Sequence, residues 1–164
     1  MKNQTCCFTG HRQLPKEDLL HFADKLLDLV ISLADEGIIH FKNGGATGFD
    51  QLAALAVLLA REVNPSIRLE MALPHKGQAD KWDEVNKKIY DHILSQADEV
   101  VYVSEKYYRG CIHNRNRNLI DNSDVCVCYL TKDNGGTAYT VNYAKQKGLR
   151  IINMALDENA YLWE

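Results

Sequence analysis

Short apolar runs and longer amphipathic runs alternate along the chain. Residues 4–9, around Cys6-Cys7-Phe8, predict a first buried strand. Leu14-Pro15 marks a turn. From Lys16 to Glu36 the apolar positions Leu19, Phe22, Ala23, Leu26, Val30 and Leu33 recur every three or four residues, the period of a helix with one buried face, and Gly37 ends it. Residues 38–42 predict a second strand and Phe49 to Glu62 a second helix. Ile67 to Leu73 predicts a third strand, closed by Pro74. A third helix is expected over Lys81 to Gln96, with Trp82, Val85, Ile89 and Ile93 as its buried stripe. Glu99–Val103 reads as strand four, Gly110–Asp121 as helix four and Val125–Leu130 as strand five. Thr137–Lys147 reads as helix five, stopped by Gly148, and Arg150–Met154 as strand six. The tail from Asp157 to Glu164 is assigned no element.

Strands that alternate with helices imply a parallel sheet covered on both faces. Right-handed crossovers leave few topologies. The expected fold is α/β, a Rossmann-like doubly wound sheet in three α/β/α layers, with strand order 3-2-1-4-5-6. No repeat or linker interrupts the pattern, so residues 1–164 read as one domain. Such sheets bind ligands beyond the carboxyl ends of their strands, where strand order reverses.

Three glycine turns are expected at that edge. Thr9-Gly10-His11-Arg12 follows strand one. Gly44-Gly45-Ala46-Thr47-Gly48-Phe49-Asp50 lies between strand two and helix two. Asn134-Gly135-Gly136-Thr137 lies between strand five and helix five. Glycines let a ligand approach the backbone, and a helix start offers unpaired N–H groups to an anion. Residues 44–48 are the first phosphate candidate and 135–137 the second. Asp50 is suited to capping the helix or holding a ribose hydroxyl. Thr137 can cap its helix or bond a phosphate oxygen. The alternative for each turn is a tight strand-to-helix connection without a ligand.

The Gly-x-Gly-x-x-Gly fingerprint is absent after strand one, which argues against a nicotinamide dehydrogenase. Trp82 either stacks a base or anchors helix three. Helical spacing groups Tyr108, Ile112, Arg115 and Leu119 on one face and turns Arg117 away. That face either meets a base and phosphate or is a solvated helix side. His11, His75 and His113 lack metal-ligand spacing, so no metal is expected, and no cofactor.

Composition narrows the classes. The chain has 164 residues and a net charge of −3, so no broad basic footprint is present. A nucleic-acid partner is therefore expected to be unlikely. No apolar stretch reaches membrane-span length and no signal peptide is apparent, so a cytoplasmic protein with no membrane partner is expected. Five cysteines, with no Cys-x-x-Cys spacing, read as buried reduced thiols. Helix two is apolar on most sides. It is expected to be covered within the monomer or by a second copy.

The set Phe8-Thr9-Gly10-His11-Arg12, Gly44 to Asp50, Asp121-x-x-Asp124 and Gly135-Gly136-Thr137 resembles the YpsA-like family of the SLOG superfamily. That superfamily also holds the lonely-guy phosphoribohydrolases and DNA-processing protein A. The resemblance covers nearly the whole chain and implies a Rossmann-like fold that binds a nucleotide-derived ligand at the glycine edge. It also favours a homodimer. The implied ligand-binding residues are Thr9, Gly10, His11, Arg12, Gly44, Gly45, Thr47, Gly48, Asp50, Arg115, Gly135, Gly136 and Thr137. Arg115 matches the arginine that the lonely-guy enzymes carry on the helix before strand five. Where those enzymes have a glutamate on helix five, this chain has Thr140, which argues against N-glycosidic cleavage; Asp50 and Asp133 are the nearby carboxylates. The leading expectation is a binding or sensing domain for a nucleotide-derived small molecule. A nucleotide N-glycosidase comes second and a nucleic-acid module third.

Overall fold

A computed structural model describes residues 4–155. In chain order the elements are β1 (Thr5–Gly10), α1 (Leu19–Asp35), β2 (His40–Asn43), α2 (Phe49–Val63), β3 (Arg68–Leu73), α3 (Glu84–Gln96), β4 (Glu99–Tyr102), α4 (Cys111–Asp121), β5 (Val125–Tyr129), α5 (Gly136–Gln146) and β6 (Arg150–Asn153). All strand pairings are parallel. The result is the three-layer Rossmann-like arrangement expected from the alternation. The tail after Asp157 lies outside the described residues.

The strand order is β4-β3-β2-β1-β5-β6, not 3-2-1-4-5-6. The fourth strand lies at the outer edge beside β3, and β5 takes the place next to β1. Burial explains this. Val125 to Cys128 are all buried, as a central parallel strand requires, whereas Glu99, Val101 and Tyr102 of β4 are exposed. Order still reverses next to β1, now between β1 and β5. Helices α1, α2 and α3 follow steps in one direction and share one core; α4 and α5 follow steps in the other direction and share the second. That division is what right-handed crossovers impose.

Period-two alternation feeds both cores. Cys6, Phe8, Val125 and Val127 point to the α1–α3 side. Cys7, Cys126 and Cys128 point to the α4–α5 side. All five cysteines are buried and free.

Two boundaries shift. Helix α3 begins at Glu84 because the Asp83 side chain accepts the Asn86 N–H at 2.8 Å and caps it. Trp82 therefore precedes the helix, Val85 is exposed, and Tyr90 and Ile93 form the buried stripe. Helix α2 is covered within the monomer by α1, α3 and the sheet, with only Leu59, Glu62 and Val63 exposed along it. Its apolar character therefore needs no second copy. No described helix is long and apolar enough to cross a membrane.

The joint between β1 and α2 positions the carboxyl edge. Phe49, fully buried, lies against Phe8, Phe22 and Tyr129 with ring centroids 6.2–6.3 Å away. Its N–H donates to the His11 carbonyl at 3.1 Å. A Cβ on Gly10 would sit 2.5 Å from the Phe49 ring, so Gly10 makes the approach possible. Phe49→Ala should cost about 3–5 kcal/mol of folding stability, the range for deleting a buried aromatic ring. Urea unfolding measures it; a loss under about 1 kcal/mol would refute this account of the joint.

Candidate functional site

All strands run the same way, so the three glycine turns share the carboxyl edge. They differ in what fills them. In the turn after β2, the buried Asn43 side chain accepts the Gly45 N–H at 2.8 Å and donates to the Asp50 carbonyl at 2.7 Å. The Gly44 carbonyl accepts from Arg115 Nη1 and from Gln78 Nε2. A Cβ on Gly44 would lie 2.6 Å from the Arg115 guanidinium. Gly48 has φ 81° and a Cβ there would lie 2.2 Å from the Arg12 carbonyl. Protein atoms already occupy the space these two glycines open.

Asp50 and Arg115 form the electrostatic centre of this turn. Asp50 is buried in the first turn of α2. Its Oδ2 accepts the Ala46 N–H at 3.3 Å, and its Oδ1 has no hydrogen-bond partner. Burial pushes its carboxyl up to about 6, against the opposing pull of Arg115, the Ala46 N–H and Arg12. Arg115 is only 4% exposed, and its Nε donates to Asn116 Oδ1 at 2.7 Å. Burial lowers its pKa while Asp50 raises it. The expected ligand-facing side of α4 is therefore an inward side: Cys111, Arg115 and Leu119 are buried, and Ile112 and Tyr108 are exposed. Arg117 bonds Asn114 and reaches the Tyr139 hydroxyl of α5 at 3.3 Å.

The ends of β1 and β5 meet at the reversal. The His11 N–H donates to the Tyr129 carbonyl, and His11 Nε2 accepts the Thr131 N–H at 2.9 Å. Burial and Lys132 hold its pKa below the ordinary value, in keeping with a neutral, accepting ring. His11 thus ties down the β5–α5 loop. Thr9 is buried in β1. Arg12 is exposed and, with Thr47, lines a groove of about 330 Å³ beside Gly48 and Gln51.

The turn before α5 is open. Gly135 has φ 93° and ψ −176°, a conformation essentially confined to glycine. A Cβ at Gly135 or Gly136 would meet nothing within 4 Å. Helix α5 has no side-chain cap and no acidic residue in its first turn. Thr137 is half-buried there. Thr140 is buried, and its hydroxyl donates to the Gly136 carbonyl at 3.0 Å. Asp133 is exposed in the preceding loop.

Sequence reasoning missed Asn43, Gln78 and Lys132. An asparagine closing a strand just before a glycine pair was the available signal for Asn43; none pointed to Gln78. Asp121 and Asp124 lie at the opposite edge. Asp121 accepts from Tyr143, and Asp124 accepts the Thr5 N–H and so ties β5 to β1. No group of three His, Cys, Asp or Glu among the described residues is placed to hold a metal ion.

A buried arginine under one glycine turn and an open glycine turn before α5, set on one parallel sheet, make this a Rossmann-like domain. The model of the YspA SLOG family (YpsA) matches residues 8–157, and the chain belongs to that family. It is 30% identical over 141 residues to the uncharacterized SPbeta prophage-derived protein YoqJ of Bacillus subtilis, covering 78% of this chain and 82% of that protein. Protein YpsA of Bacillus subtilis is 25% identical over 147 residues, 85% and 82% of the two chains.

Two solved structures share the fold. DNA processing protein A from Helicobacter pylori, described for its single-stranded DNA binding mode, superposes with a TM-score of 0.66 at 22% identity over 96% of this chain and 67% of that one. The Streptococcus pneumoniae protein gives 0.69 at 18% identity over 99% and 54%, so this chain spans about half of it. The expectation against a nucleic-acid partner is corrected by these neighbours: a chain of this fold binds single-stranded DNA, and net charge does not exclude it.

The buried charges yield a pH-dependent prediction. The folded state holds the Asp50 proton more tightly than the unfolded state. Its contribution is therefore fully present below about pH 4 and lost as pH rises through about 6. In Arg115→Ala the Asp50 charge loses its main counter-charge. The loss of stability should be about 3 kcal/mol at pH 7 and smaller at pH 4, where Asp50 is largely protonated in the folded state. Equal losses by urea unfolding at the two pH values would contradict the coupling.

Proposed function

We propose that this domain binds a nucleotide or nucleotide-derived small molecule, with a phosphate on the first N–H groups of α5 at Gly135, Gly136 and Thr137. The observation that carries this reading is the unfilled space at Gly135 and Gly136, together with the uncapped, acid-free first turn. The turn after β2 is the weaker phosphate candidate: Arg115 and the Arg12 backbone fill it, and Asp50 already answers the helix dipole of α2. Arg12 and Lys132 are the exposed cations flanking the β1–β5 reversal. Arg115 acts from beneath, by holding Gly44.

Binding without N-glycosidic turnover follows from Thr140. Its hydroxyl is neutral, buried and committed to the Gly136 carbonyl, so it cannot stabilise an oxocarbenium ion or activate water as a carboxylate does. A second reading, single-stranded nucleic acid, is favoured by the fold shared with DNA processing protein A.

Calorimetric titration with AMP, ADP-ribose, NAD and cyclic nucleotides tests the first reading. A ligand at 100 times its Kd should raise stability by about 2.7 kcal/mol. Gly136→Val should abolish that binding by filling the space of the phosphate. Because Gly136 has an ordinary helical backbone and open surroundings, the melting temperature should barely move. Unaltered affinity in Gly136→Val would refute the α5 phosphate site. Fluorescence anisotropy with single-stranded oligonucleotides is the companion measurement. Tight binding that falls steeply with salt, with no response to the small nucleotides, would favour the second reading.

A further inference from the structure

A cavity of about 600 Å³ lies between the loops that follow β3 and β4. Trp82, Tyr107 and Gln78 line it, and the exposed charges on its wall balance, Lys81 and Lys106 against Asp80 and Glu105. We infer that this cavity seats the nucleobase of the ligand by stacking on Trp82 and Tyr107, and that a chain of phosphates links that nucleoside to the turn before α5. The inference rests on the nucleotide reading above.

Three observations support it. First, Trp82 does not anchor a helix from within. It stands in the turn before the Asp83 cap, half-buried, with one edge on Tyr90 at a centroid distance of 5.1 Å. Tyr107 is 65% exposed yet held edge-on by His75 at 5.6 Å. Aromatic rings presented to a cavity suit a nucleobase.

Second, the cavity is wired to the glycine edge. The Tyr90 hydroxyl donates to Gln78 Oε1 at 3.2 Å, and Gln78 Nε2 donates to the Gly44 carbonyl at 3.2 Å. His75 Nδ1 accepts the Gly77 N–H at 3.1 Å, which leaves Nε2 as the donor of the neutral ring.

Third, strand order sets the length of the ligand. β3 and β5 are three strand spacings apart. At about 4.8 Å per spacing the gap is roughly 14 Å. A base and its own phosphate do not bridge that gap. A chain of phosphates on the same nucleoside lengthens the reach toward α5, whereas a second nucleoside beyond the phosphate does not.

Trp82 reports on the test directly. The other tryptophan is Trp163, so Trp163→Phe leaves Trp82 as the only indole. The probes are AMP, ATP, a two-residue deoxyadenosine oligonucleotide and inorganic pyrophosphate. The expected result is quenching of Trp82 by ATP at concentrations at least tenfold below any effect of AMP or of the oligonucleotide, and none by pyrophosphate. Tyr107→Leu, at an exposed position that folding does not depend on, should weaken ATP binding by about tenfold or more, the effect of losing one base–aromatic stack. Calorimetric binding with unchanged Trp82 emission and unchanged affinity in Tyr107→Leu would overturn this inference and leave the α5 phosphate site standing. Equal potency of AMP and ATP, or greater potency of the oligonucleotide, would overturn the phosphate chain. No binding of any nucleotide would sink both.

Discussion

The Arg115 guanidinium reaches from α4 through the sheet edge to the Gly44 carbonyl, buried beside a carboxylate with one unpartnered oxygen. A buried cation and a buried anion each carry a large desolvation cost, and each tempers the other's. Arg115 ties the turn after β2 to the long β4–β5 crossover through the Gly44 carbonyl, and its charge acts on Asp50 in the first turn of α2. The glycine at position 44 is small because that guanidinium must pass. Gly10 is small because Phe49 must lie over the end of β1. Two of the three glycine turns are thus shaped by the protein's own packing, and only the turn before α5 leaves its space unfilled.

How far the sequence foretold this follows from the kind of information each feature uses. Element type and order are local, and the periodicity of residues 16–36 or the apolar run 125–130 carries them. Strand order is not local. It depends on how the 22-residue path from Tyr102 to Val125 is laid across the sheet, and periodicity is silent about that. The clue was burial: a strand rich in Val and small Cys belongs in the middle, and one that begins with Glu belongs at an edge. The role of Arg115 was hidden for a related reason. Helical spacing grouped Arg115 with Leu119 and turned Arg117 away, but only the tertiary neighbours decide whether that face meets a ligand or the Gly44 turn. The same holds for the glycines, whose spacing looks alike whether a side chain or a phosphate fills the gap.

The acidic net charge misled for a simpler physical reason. A sum over the chain carries no position. Helix C-termini and strand starts lie at the amino edge, and Asp35, Glu36, Asp98, Glu99, Asp121 and Asp124 gather there. The carboxyl-edge loops hold Arg12, Lys16, Lys76, Lys81, Lys106, Arg109 and Lys132, against Glu17, Asp18, Asp80, Asp83, Glu105 and Asp133. Charges there are nearly balanced, unlike the acidic sum over the chain. Three helix N-termini add partial positive charge to the same edge, each starting after a glycine without a side-chain cap. What this edge offers an anion is therefore its unpaired backbone donors rather than a net charge of its loops.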